Sequence, residues 1–105
     1  MNRYFDQNLV ELKESLLTMA SHAQRAVSLA VQALISRDDD MAREVIEQDY
    51  VIDRIEMTLD ETAIHYLALR APVAFDLRLI TMTMKISHDL ERVGDESTTI
   101  ARRAV

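Results

Sequence analysis

The chain has 105 residues, a net charge of −6, 49% hydrophobic residues, one glycine, one proline and no cysteine. That length supports one domain with a modest core, expected over residues 1–105, and the lack of thiols excludes a disulfide framework or a thiolate zinc site. The acidic balance argues against a nucleic-acid surface, no run of about 18 apolar residues is present to cross a membrane, and the first residues lack a secretory apolar run, so a cytoplasmic location is expected.

Phe5, Leu9, Leu12, Leu16, Met19, Ala23, Ala26, Ala30 and Ala33 step by four and three, a heptad seam that predicts a first helix over about residues 3–36. Its second half is mostly alanine, which lets a neighbouring helix approach closely, and Val27, Val31 and Leu34 widen it. Ser36-Arg-Asp-Asp-Asp40 then offers N-cap candidates and first-turn acids. A second helix is expected from about Asp39 to Leu69, with the seam Met41, Val45, Gln48, Ile52, Ile55, Leu59, Thr62 and Tyr66. Pro72 is barred from a helix interior but suits a first turn, so a third helix is expected from Pro72 to the end, with the seam Leu79, Thr83, Ile86, Leu90, Val93, Ser97 and Ile100. A second apolar stripe on it, Leu77, Ile80 and Met84, is expected to face away from the first. Short connections make consecutive helices antiparallel. The predicted fold is all-α, an up-down-up three-helix bundle.

Four acids on the second helix, Asp49, Asp53, Glu56 and Asp60, follow at four, three and four residues and fall within a sector of roughly 60°. None has a lysine or arginine three or four positions away. On the third helix His88, Glu91 and Asp95 share another narrow sector, around the chain's one glycine, Gly94. Stacked like charges weaken a bare helix, so compensation from outside the helix is expected. Antiparallel packing brings the two acidic faces to one level, and carboxylates with one imidazole suit a hard or borderline cation such as Mn, Fe, Mg, Ca or Zn. A solvated acidic face is the alternative. Lys85, Asp89, Arg92 and Glu96 show what an ordinary surface ladder looks like, alternating in sign. Gly94 costs helix stability and marks either close helix packing or a ligand.

No phosphate loop, Gly-x-Ser-x-Gly elbow or His-Glu-x-x-His is present. His88-x-x-Glu91 reverses the order of the di-iron Glu-x-x-His motif and occurs once. An enzyme is therefore not expected. The rivals are a structural helical adaptor, a histidine phosphotransfer bundle using His88, and a di-metal oxidase.

The segments Arg70-Ala-Pro-Val-Ala-Phe-Asp-Leu-Arg78, Lys85-Ile-Ser-His-Asp-Leu-Glu-Arg-Val-Gly-Asp95 and Val45-Ile-Glu-Gln-Asp-Tyr-Val-Ile-Asp53 resemble the PhoU family of phosphate-uptake regulators. The resemblance implies a three-helix repeat whose Glu/Asp-x-x-x-Asp motifs bind metal ions, here Asp49 with Asp53 and Glu91 with Asp95. Glu56, Asp60 and His88 are additional candidates. Iron, manganese, zinc or magnesium is the expected cofactor. The resemblance further implies regulation of phosphate uptake and signalling through a phosphate ABC transporter ATPase and a sensor histidine kinase. Family members usually carry two repeats, and this chain has one. A two-fold homodimer is therefore expected to replace the missing repeat.

Overall fold

The computed structural model describes residues 3–70 and 74–105, with side chains from residue 7 onward. The side chain of Phe5 and the expected helix start at Pro72 lie outside the described residues. Four α-helices follow in order: α1 (Arg3–Ser36), α2 (Asp39–Glu47), α3 (Asp49–Leu69) and α4 (Ala74–Ala104). They build three rods, because α2 and α3 continue one another with a break at Gln48. Leu9 and Leu16 of α1 meet Leu79 and Thr83 of α4 at one end, and Ala30 and Ala33 meet Ala101 at the other. The outer rods are thus parallel and the middle one returns between them, the up-down-up bundle that the seams predict, about 53 Å long.

The turn after α1 is built by hydrogen bonds and not by glycine. Arg37 adopts a left-handed conformation at φ 54°, and the Asp38 N–H donates back to the Ala33 carbonyl at 3.1 Å, the six-to-one bond of a Schellman stop. Asp38 then caps α2, its Oδ1 accepting the Met41 N–H at 3.1 Å. Asp39 and Asp40 follow in the first turn, where the helix dipole favours negative charge.

The second rod departs from the uninterrupted helix expected over Asp39–Leu69. Gln48 stands in the apolar seam between Val45 and Ile52, and a buried amide without partners costs more than one lost helical bond. The chain breaks there, at φ −93° and ψ 2°, and leaves Gln48 exposed. The core divides at the same level. Toward one end it is built of larger side chains, including Leu12, Met19, Leu59, Tyr66 and Ile80. Toward the other it is Ala30, Ala33, Ala42, Val45 and Ala101, where alanines let the rods close up as the narrow first-helix seam predicts.

On α4 the buried line is rotated from the predicted seam. Ile80, Thr83, Ser87, Gly94, Ser97, Thr98 and Ala101 are buried, while Leu79, Ile86 and Val93 remain 44%, 40% and 36% exposed. The stripe Leu77, Ile80 and Met84 is corrected accordingly: Ile80 is fully buried, and Met84 packs on the same cluster. Small residues win the inside of α4 because the rods approach closely. A Cβ at Gly94 would lie 2.8 Å from Ile52 Cδ1. The buried hydroxyls need no partner from another rod, since Thr83, Ser87 and Ser97 each donate to a carbonyl of the preceding turn at 2.8 Å.

Candidate metal centre

The Gly94–Ile52 contact places the following residues of each helix, Asp95 and Asp53, at the α3–α4 seam. Asp53, Glu91 and Asp95 each bring a carboxylate oxygen to within 4.8 Å of the others'. Glu56, His88 and Glu91 form a second such group. Glu91 belongs to both. Asp53 and Asp95 are exposed and Glu91 is half-buried, so the cluster lies on the bundle surface with its centre partly withdrawn from water.

The electrostatics bear the mark of uncompensated charge. A hydrogen bond with Asp95 pushes the Glu91 carboxyl up to about 7, helped by burial and by the charges of Asp95, Asp53 and Glu56. Glu91 thus holds its proton well above the ordinary carboxylate range. Burial, followed by the Asp60 charge, raises Glu56, against a lowering by His88, whose Nδ1 stands 3.6 Å from Glu56 Oε2. Burial also raises Asp60, again opposed by His88. A cation bound to these oxygens would supply the positive charge that the acids lack, and the donor set fits one: several carboxylates, one imidazole and no lysine or arginine ion-paired to Asp53, Glu91 or Asp95 among the described residues.

The structure brings together Asp53, Glu91 and Asp95, with Glu56 and His88 beside them. It does not bring Asp49 or Asp60 into either group. Asp49 Oδ2 stands 3.9 Å from Arg102 Nη2, a partner that a search for cations within one helix cannot find, because Arg102 comes from the last turn of α4. Also missed was the Arg25–Glu44 pair, 2.6 Å, which bridges α1 to α2. The polar Gln48 in an apolar seam was the one available signal that this region opens.

The fold and site define an all-helical unit with a carboxylate cluster across two of its rods. Residues 16–104 match the PhoU domain, and the chain belongs to that family. It is 43% identical over 105 residues to a phosphate-specific transport system accessory protein PhoU homolog of Pseudomonas putida, covering all of this chain and 41% of that protein. It is 34% identical over 101 residues to the phosphate-specific transport system accessory protein PhoU of Escherichia coli K12, covering 96% of this chain and 42% of that one. The crystal structure of PhoU from Pseudomonas aeruginosa superposes with a TM-score of 0.93 at 42% identity, over 95% of this chain and 48% of the other. The chain thus spans less than half the length of these relatives.

Proposed function

We propose that this three-helix unit is a cytoplasmic regulatory module of phosphate uptake and phosphate-responsive signalling. It binds cations through Asp53, Glu91 and Asp95, with Glu56 and His88 as further ligands, and acts through protein contacts without catalysis. The observation that carries the reading is Glu91, shared by two groups of ligand-type side chains and holding its proton to about 7. Iron, manganese or magnesium suits the oxygen-rich group, and an imidazole also admits zinc. Asp49 and Asp60 stand outside both groups and serve as lesser contributors. The relatives' role as accessory proteins of phosphate-specific transport systems supports a phosphate transporter as a partner, and its ATPase and a sensor histidine kinase are the partners proposed. No helix among the described residues is long and apolar enough to cross a membrane.

Binding to the folded state raises Tm by mass action. Replacing Glu91→Gln and Asp95→Asn together keeps shape and removes charge. The double variant is expected to lose more than about tenfold in metal affinity, roughly 1.4 kcal/mol. Equal affinity in parent and variant would remove these residues from the site. Comigration of the chain with the transporter ATPase or the kinase in size-exclusion chromatography tests the partner half, and absence with both would overturn it.

The same unit is proposed to pair with a second copy. Phe75, Leu79, Met82, Ile86 and Val93 are exposed on α4 within a sector of roughly 60°, and Val10 of α1 shares a groove with Leu79. Val27, Val31 and Leu34 continue exposed apolar surface along α1. Such surface favours association. Light scattering at tens of micromolar is expected to give a dimer, and a monomer would refute it.

A further inference from the structure

The break between α2 and α3 opens a cavity of about 210 Å³. A designed cavity of about 150 Å³ admits benzene, so this one has room for a ligand of roughly that size or somewhat larger. Its walls carry opposite chemistry. On α1, His22 and Arg25 lie three residues apart on one face. On the second rod, Glu44, Gln48 and Asp49 face them. Between the walls the surface is apolar, made by Ala26, Leu29, Val45 and Ile52. Gly94 also lines it, where a Cβ would meet Ile52 Cδ1.

From this arrangement we propose that the cavity at the α2–α3 break binds a small zwitterion, an α-amino acid with a short branched apolar side chain. Arg25 presents the planar donor fork that takes a carboxylate. Glu44 presents the acceptor for an ammonium group. The apolar surface between them takes the side chain and removes it from water. The two walls hold each other in the free protein, through Arg25 Nη2 and Glu44 Oε1 at 2.6 Å. The Arg25 and Glu44 side chains are 65% and 46% exposed, and pairs open to water in this way add little stability. A ligand carrying both charges replaces that pair with two of its own and leaves neither residue unpaired. A simple anion or a simple cation satisfies one wall and strands the other. The site uses none of the Glu91 cluster, so it stands or falls apart from the metal reading.

The test is a titration of the metal-free chain with L-leucine, followed by nuclear magnetic resonance at the Ile52 and Val45 methyls and the His22 ring. Controls are 4-methylpentanoate, which lacks the ammonium, and isopentylamine, which lacks the carboxylate. Leucine is expected to shift these resonances saturably below about 20 mM, with affinity in the ~1 mM range of small ligands. Each control is expected to bind at least about tenfold more weakly, as a missing charge partner requires. Arg25→Gln and Glu44→Gln are surface changes that leave helix content intact, and each is expected to weaken leucine by a similar factor. No saturable shift with leucine, a control that binds as tightly, or leucine binding unchanged in both variants would overturn the proposal.

Discussion

The two flanks of α4 are built from opposite materials and share one property. On the flank toward α3, His88, Glu91 and Asp95 gather, and no described lysine or arginine forms an ion pair with these acids. On the flank away from it, Leu79, Met82, Ile86 and Val93 present apolar surface that the bundle leaves uncovered. Between them runs a narrow buried strip of small residues and self-bonded hydroxyls. The strip is narrow because the rods approach closely at Gly94, and a narrow strip commits little of the helix circumference to the core. Both flanks are thereby left uncovered by the bundle, one charged and one apolar.

The sharpest way to break this contrast is to place the same charge on the strip and on the apolar flank. Ile80→Asp buries an unpaired carboxylate and opens a cavity, at an expected cost above about 4 kcal/mol. For a domain of this size that is most of the stability, so circular dichroism should show lost helix. Ile86→Asp should cost less than about 1 kcal/mol and keep the helix signal, while reducing self-association in light scattering. Equal effects from the two would erase the distinction between core and flank.

On the acidic flank the expected effect is smaller and depends on pH. Glu91 is raised from 4.5 in the unfolded chain to about 7 in the fold. Between those values the native state holds a proton that the unfolded state has released. Stability therefore falls as pH rises through that window. With a chelator present, the parent's Tm should drop by several degrees between about pH 5 and pH 8, and Glu91→Gln should flatten the part due to this group. A saturating divalent ion should reverse the loss in the parent and do little for the variant.

Gly94 tests the close approach that separates the flanks. Gly94→Ala gains about 0.5–1 kcal/mol of helix propensity and displaces only Ile52 Cδ1, the far end of a side chain beside the cavity. Its net effect should be within about 1 kcal/mol of the parent by urea denaturation. Gly94→Val has no such escape and should cost more than about 2 kcal/mol. The smallest change is a control remote from both flanks: Arg37→Gly relieves a left-handed residue at φ 54°. It should raise stability by about 0.5 kcal/mol, the strain relieved less the added freedom of the unfolded chain.

Period and punctuation carried the architecture. Three seams stepping by four and three, the acids after Ser36 and the single proline are local properties, so the three rods and a cap within Ser36–Asp40 could be read from the sequence. Glu91 and Asp95 were legible for the same reason, as neighbours one helical turn apart. Placing Asp53 beside them required only that antiparallel rods meet at one level.

What the chain alone did not determine was rotation, because a helix with apolar residues on two flanks has two candidate insides. Hydrophobicity favoured Leu79, Ile86 and Val93. Packing chose Ile80, Ser87, Gly94 and Thr98, since small side chains with their hydroxyls bonded to their own helix fit where the rods close up. The break at Gln48 was a second tertiary decision, for an amide stays in a helical seam only when the neighbouring rods offer it a partner. The third was the parting of Asp49 from Asp53. They lie one turn apart on α3, but Arg102 stands against Asp49 from a helix whose position only the folded bundle sets.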